Sequence, residues 1–532
     1  MGGGPTGLML AAELRLCGAD PVVLERLPQV SEIPKGNGLV GQIVPMLDYR
    51  GLLDRFRAHA TFAGPALRFG FGPLQLSLSR LGHSPLHIMA IPQRRIEQLL
   101  GERLAELGGT VRRGHELTGL AQDPGGVTLH VRGPDGGYLM RAGYVVGCDG
   151  AHSLVRKRAG IGFPGVTYPE ISRIGRVSLP TAHLTRRGSA VTVADIGRLP
   201  VMRQVRTPRG TYSLAPLASL DRGARAGTYI VYTREEDPSG ELAAPMSLAE
   251  LHASARRVLG ADLPMTDPQW LTKLAGNSRL AERYQSGRVL LAGDAAHLLG
   301  AGGSLNTGLL DAINLGWKLA AEVAGRAPEG LLASYHAERH PAGQRALLHT
   351  RAQNALSALV SGRHRQGGQP GGEDSQALRE LFGEAVTRPD PLRSIKKLLK
   401  QPETLRRIGE LIEGSDVRYP IPGDDGQPHP LVGRLAPDLR LQAASGSRTR
   451  VGELMRAAKG VLLDFTPAAA VAAAASDRAD QVIITAGRCL TRPAPADALL
   501  IRPDGYVAWA ATTGAPGPGR SLPGALREWF GS

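Results

Sequence analysis

Apolar and polar positions change period several times along the chain, and each change marks an element. Residues 8–18 carry a helical pattern and residues 21–24 a short apolar strand, behind a glycine-rich start. Residues 94–107 form a helix by the spacing of Ile96, Leu99, Leu100 and Leu104. Strands follow at 110–120, 126–131 and 141–148. Residues 65–91 alternate loosely, and 163–279 break into short alternating runs such as GTYIVYT at 227–233, separated by Gly and Pro, which predicts antiparallel sheet. A buried strand at 289–292 then leads through Gly293-Asp294 and a glycine-rich turn into a helix that opens near Leu305 and runs past Lys318. Helical periodicity continues to about residue 414, interrupted by the polar loop 361–375. A Pro/Gly-rich linker at 415–435 precedes strands at 460–465, 481–485, 498–501 and 506–510, the last two joined by Pro503-Asp504-Gly505, a turn signal.

Composition narrows the class. A chain of 532 residues with 42% hydrophobic positions holds two to four domains and describes a soluble globular protein. No apolar run reaches membrane-spanning length, so neither a membrane span nor a signal peptide is predicted, and a cytoplasmic location is expected. Cys17, Cys148 and Cys489 lie far apart, with no disulfide framework and no metal spacing. The net charge of +15 is spread through the chain without a long basic block, so nucleic acid is not an expected partner. Such a field suits a phosphorylated cofactor or an anionic substrate.

Candidate chemistry sits where strands meet helices. Gly2, Gly4 and Gly7 have the G-x-G-x-x-G spacing, which allows a tight turn, close approach of a pyrophosphate and close helix packing. Glu25, at the tip of the next strand, is placed to hold a ribose hydroxyl pair. Such a turn normally follows a buried strand, whereas here Met1 directly precedes the glycines; either the start is late or the sheet lacks a central strand. Asp294 can accept a hydroxyl hydrogen bond or merely cap its turn, and the helix behind it offers unpaired N–H groups and the positive end of a dipole. Lys35 lies in a loop, KGNGL, able to cross a planar ligand.

Four separated pieces agree with one another: the glycine turn with Glu25, the segment from Asp149 to Arg156, Gly293-Asp294, and LNTGLLDAINLGWKLA at 305–320. With SYHAERHP at 334–341 they resemble the class A FAD-dependent aromatic monooxygenases, in particular the polyketide hydroxylases, whose C-terminal domain carries a segment similar to LLIRPDGYVAWAA at 499–511. The resemblance implies an α/β protein: a Rossmann-like FAD-binding domain, an inserted antiparallel-sheet substrate domain and a C-terminal thioredoxin-like α/β domain. The expected division is FAD-binding at 1–70, 93–162 and 280–345, substrate domain at 71–92 and 163–279, a helical region and linker at 346–425, and the thioredoxin-like domain at 426–532. It implies that Gly2, Gly4, Gly7 and Glu25 hold the ADP half of FAD, that Lys35, Gln93 and Leu117 contact the cofactor, and that Asp149 and Arg156 serve FAD and nicotinamide binding, Arg156 being equally readable as a structural ion pair. Gly293 and Asp294 would meet the ribityl or pyrophosphate region, and the backbone of Gly302, Gly303, Ser304, Leu305 and Asn306 would face the flavin ring. His297 reads as packing or hydrogen bonding rather than proton transfer.

The reaction so implied uses NADPH to reduce FAD, adds O2 to give a flavin hydroperoxide and transfers one oxygen to an aromatic substrate, by hydroxylation or Baeyer-Villiger oxidation. The flavin does the chemistry, so no protein nucleophile is expected. The chain departs from the family in three places. Residues 298–304 read LLGAGGS, shorter than the usual proline and G-G-Q-G run; Lys35 and Gln42 stand where arginines are common; and the first strand is missing. A non-oxidative polyketide cyclase retaining FAD as a structural element, or a binding protein without flavin, are the other readings. The thioredoxin-like domain has Asp464-Phe465-Thr466-Pro467 where a C-x-x-C would sit, which implies a structural or oligomerisation role, so a homodimer stays open. Neither the substrate nor the regiochemistry is legible.

Overall fold

The first helix, α1 (Pro5–Leu16), is buried from Gly7 to Leu14, so it sits inside the protein rather than on it. The computed structural model describes residues 1–31, 38–185, 188–220, 223–237, 242, 244–300, 303–360, 372–421, 429–512 and 521–531. The chain continues through β1 (Val23–Glu25), α2 (Gln93–Glu106), β2 (Val111–Arg113) and β3 (Val145–Gly147). It then enters the long strands β4 (Gly165–Ser178), β5 (Thr228–Glu236) and β6 (Thr266–Leu280), and returns by β7 (Val289–Leu291) to α3 (Ser304–Val323) and α4 (Ser334–Val360). Helix α3 packs along α1 so closely that a Cβ at Gly316 would stand 2.4 Å from the Glu13 Cβ.

The parallel sheet under these helices is divided. β1 pairs with β2, and β3 with β7, both in parallel. Between the two halves lie only Met1 and Gly2: the Met1 ammonium donates to Val146 O at 2.8 Å, Cys148 N–H donates to Met1 O at 2.8 Å, and Gly2 N–H donates to Leu24 O at 2.8 Å. These three bonds stand where a full central strand would pair on both sides.

The second large sheet has six antiparallel strands, with β5, β4 and β6 towards its centre. Its last strand is His297–Leu298, where Leu280 pairs with His297 and Arg279 with Leu298. The sheet is therefore joined directly to the segment that follows Gly293-Asp294. The helix Leu248–Leu259, capped by Ser247, closes the other face around Val177, Val231, Leu251 and Val258.

The 71–92 segment, expected to form part of the substrate domain, does not pair with this sheet. His87–Ala90 pairs with Leu39–Val40 and Phe62–Pro65, while Phe69–Phe71 and Leu74–Leu76 form a separate ribbon. That ribbon shares a core with the helices Glu373–Phe382, Pro391–Leu398 and Pro402–Glu413, through Phe71, Leu76, Leu378, Phe382 and Ile408. Its alternation is real, but the face it buries belongs to the helical region.

The C-terminal unit is a six-stranded sheet in which Gly460–Asp464 pairs in parallel with Val482–Cys489 and antiparallel with Ala498–Ile501. Asp464, at the place a dithiol motif would occupy, accepts from the backbone N–H groups of Thr466, Val471 and Ala472 and so caps its own loop. The Pro503-Asp504-Gly505 turn is not at the surface: Asp504 is buried, and a Cβ on Gly505 would meet Leu435 at 3.0 Å and Tyr49 at 3.2 Å. No helix among the described residues is long and apolar enough to cross a membrane.

Candidate active site

One cleft of about 2000 Å³ runs from the glycine turn, past the start of α3, to the inner side of β6 and α4. At its first end Gly2 has φ +100°, and a Cβ there would meet Cys148 O at 2.2 Å. Gly7 is held against Gly2 O, where a Cβ would stand 1.9 Å away. Beside Gly4, in contrast, a Cβ would meet open space. Gly4 is the N-cap of α1 without a side-chain cap, and Pro5 follows it, so the first-turn amides face the cleft unclaimed by any cap. Glu25 is braced there: Gly3 N–H donates to its Oε2 at 2.7 Å and Leu27 N–H to its Oε1 at 2.9 Å.

The second helix end is built alike. Gly303 caps α3 at φ +103° with no side-chain cap. The approach of the two turns is close: a Cβ at Gly308 would meet Thr6 Oγ1 at 2.6 Å and Gly293 Cα at 2.9 Å. Behind them lies a buried cluster. Asp311 accepts from Gly293 N–H at 3.1 Å, from His297 Nε2 at 2.7 Å and from Arg339 Nε at 2.8 Å, and Arg339 also donates to Thr307 O at 3.1 Å. Burial opposes the charge on Asp311, but His297 and Arg339 outweigh it and hold its carboxyl below the usual range. The cluster fixes the turn after β7 against the first turn of α3.

Two helix N-termini aimed into one cleft, with a braced carboxylate at its end, suit an extended diphosphate-bridged dinucleotide. Residues 1–350 match the family profile "FAD binding domain", and residues 429–532 match "Aromatic-ring hydroxylase, C-terminal". The 12-dehydrotetracycline 5-monooxygenase/anhydrotetracycline 6-monooxygenase of Streptomyces rimosus subsp. rimosus is 41% identical, over 100% of this chain and 98% of its own length. The chain belongs to the class A FAD-dependent aromatic monooxygenases. The solved structure of OxyS anhydrotetracycline hydroxylase from Streptomyces rimosus superposes with a TM-score of 0.80 at 38% identity, covering 100% of this chain and 98% of that one. A dialkyldecalin synthase of Streptomyces rugosporus is 35% identical over 100% of the chain and 98% of its own length.

The monooxygenase brings most of the residues singled out in the sequence to this cleft: Gly2, Gly4, Glu25, Gln93, Leu117, Asp149, Arg156, Asp294, Gly303, Ser304, Leu305 and Asn306 all line it. Gly7 and Gly293 lie behind the lining as packing positions. Lys35 and Gly302 fall outside the described residues. Several side chains are committed locally. Gln93 Nε2 donates to Glu97 within α2 at 2.8 Å, and Asn306 Oδ1 accepts Val40 N–H at 2.8 Å. Asp149 accepts from Ser153 Oγ and Val155 N–H, which shapes its own turn. Arg156 lies 3.8 Å over the Phe163 ring and donates to Ala295 O at 2.9 Å and Ala151 O at 3.1 Å, tying the Asp149 segment to the Gly293 turn through carbonyls rather than an ion pair.

Residues not singled out in the sequence form the far end. Phe69, Lys273, Asn277, Arg345, His349 and Gln353 line the chamber. Tyr506 reaches it from the C-terminal unit and donates to Gln42 Oε1 at 3.1 Å, so Gln42 is an uncharged partner of that unit.

Proposed function

We propose that this monooxygenase uses NADPH and O2 to hydroxylate, or oxidise in Baeyer-Villiger fashion, a polycyclic aromatic polyketide-type substrate. The observation that carries the reading is the continuity of the cleft from the glycine turn to a chamber walled by a sheet on one side and α4 on the other. The relatives named for anhydrotetracycline support a fused-ring substrate. Gly2, Gly4 and Glu25 would hold the ADP half of FAD, with Gly7 setting the turn; Asp294 and the first turn of α3 would hold the flavin half, and Asp149 with Arg156 would shape the wall between them. Bound FAD supplies reduction by the nicotinamide and activation of oxygen.

The residues of the chain do the remaining work. The first-turn amides of α3 would offer positive potential to the negative charge of a reduced flavin held there, and the Asp311 cluster keeps that turn in position. Phe69 and the β6 backbone exclude water from the chamber. The competing reading is a non-oxidative cyclase with FAD as a structural element; the dialkyldecalin synthase shows that the same framework carries another activity.

NADPH consumption by the purified, FAD-loaded protein under air separates the two. Fused-ring phenolic polyketides are expected to accelerate it and to leave products one oxygen atom heavier. Bound ligand with no change in NADPH oxidation would overturn the oxygenase reading in favour of the cyclase.

A further inference from the structure

Helix α4 lays Arg345, His349 and Gln353 along the far wall of the cleft, one turn apart. Their polar atoms are not equivalent. Gly72 N–H donates to Gln353 Oε1 at 2.9 Å, and since a backbone amide only donates, this decides which end of the Gln353 amide is oxygen. The Gln353 NH2 group therefore faces His349 Nδ1, at 3.2 Å, and donates to it. A ring nitrogen that accepts carries no proton. In the neutral ring the proton is then on Nε2.

Burial, reinforced by the charge of Arg345, pushes His349 down to about 4, so the ring is neutral at physiological pH. His349 is 9% exposed and lines the cleft, and its Nε2 has no protein partner among the described residues. The clamp that sets the ring depends on close backbone approach. Gly72 has φ +56°, and a Cβ there would stand 2.8 Å from Gln353 O.

We propose that His349 Nε2–H is a fixed, uncharged hydrogen-bond donor that reads a ring carbonyl oxygen of the substrate and so decides which end of the fused ring system faces the flavin. This assignment rests on the aromatic-substrate reading above. A charged donor would hold any anion; a neutral, pre-oriented one favours a ring that carries an oxygen at that place and disfavours one that leaves the buried N–H unpaired.

The test uses the FAD-loaded full chain and follows the flavin absorbance as two probes are titrated: 1,8-dihydroxyanthraquinone, and anthracene-1,8-diol, which lacks the two carbonyls. The intact protein is expected to prefer the quinone by roughly tenfold, the size of one hydrogen bond to a buried donor. His349→Phe is expected to remove the preference, and His349→Gln, which carries an N–H near the same place, to restore part of it. If His349→Phe fails to retain FAD, Gln353→Leu decides, because it leaves the ring in place but frees its tautomer and should weaken the preference. Equal weakening of both probes, or an unchanged preference, overturns the assignment and leaves the aromatic-substrate reading standing. Failure of the intact protein to bind either probe overturns that reading, and the assignment with it.

Discussion

Glu338 and Arg339 are consecutive residues of α4, yet they serve two different buried charge clusters. Glu338 accepts from Lys318 Nζ at 2.7 Å, from Asn314 Nδ2 at 2.7 Å and from the two terminal guanidinium nitrogens of Arg502 at 2.6 and 2.8 Å, while Arg502 also pairs with Asp504. Arg339 turns the other way, to Asp311 and through it to the Gly293 amide. Both clusters balance their fixed charges, Lys318 and Arg502 against Glu338 and Asp504, Arg339 against Asp311. They differ in what lies at the far end. The first closes across the boundary to the C-terminal unit and bonds mainly side chain to side chain; the second, besides reaching the Tyr419 hydroxyl through Arg339 Nη1 at 3.0 Å, extends to the backbone of Gly293 and Thr307. A desolvated ion pair can therefore fix docking or shape a turn, according to whether its last partner is another side chain or a peptide group.

Removing each charge should separate these roles. Glu338→Leu leaves two cations and an amide without their common acceptor in a dry interior, and a loss of about 3–5 kcal/mol is expected in denaturant unfolding. A loss near zero would break the comparison at once. Asp311→Asn keeps the shape but removes the charge that Arg339 shares, with an expected cost of about 2–3 kcal/mol and an FAD affinity lowered about tenfold in equilibrium dialysis. Lowered stability with unchanged FAD affinity would reduce this cluster to a second docking device.

His349 sharpens the contrast, because here burial is met by neutrality instead of pairing. Its pKa is about 4 in the folded chain against an ordinary 6.5. The unfolded chain takes up a proton that the folded one refuses, so stability falls as pH drops from about 6.5 towards about 4. Near pH 5 the intact protein should have lost about 2 kcal/mol from this group alone, a loss absent from His349→Phe in matched unfolding curves. The smallest effect belongs to Tyr506→Phe, which removes one donor to Gln42. About 1 kcal/mol is expected by thermal or chemical unfolding, and a shift beyond about 3 would place the C-terminal unit's hold on the cleft mainly there.

The residue pattern made parts of this legible and left others dark for a physical reason. Glycine spacing reports backbone demands that are local, so the turns at Gly2–Gly7 and after β7 could be anticipated. Periodicity reports that a face is buried, not against what. That is why the helices that residues 71–92 pack against could not be read from their alternation, and why the turn at Asp504 gave no sign of being interior. His349 and Gln353 sit in a long helix of mixed polarity, where no spacing marks the face that meets a cleft. Arg502 and Glu338 are 164 residues apart, and composition carries no trace of such a meeting.

The buried turn at residues 503–505 also bears on how such proteins can be recombined. Arg50 donates to Pro503 O at 2.8 Å while pairing with Glu13 at 2.7 Å, and Gly505 is pressed against Leu435 and Tyr49. A chimaera that exchanges the last hundred residues with those of a relative inherits a plug cut for another socket. The exchange unit that travels intact includes Glu13, Arg50, Lys318 and Glu338 as well as the C-terminal sheet, and crossover sites drawn at the linker alone sever it.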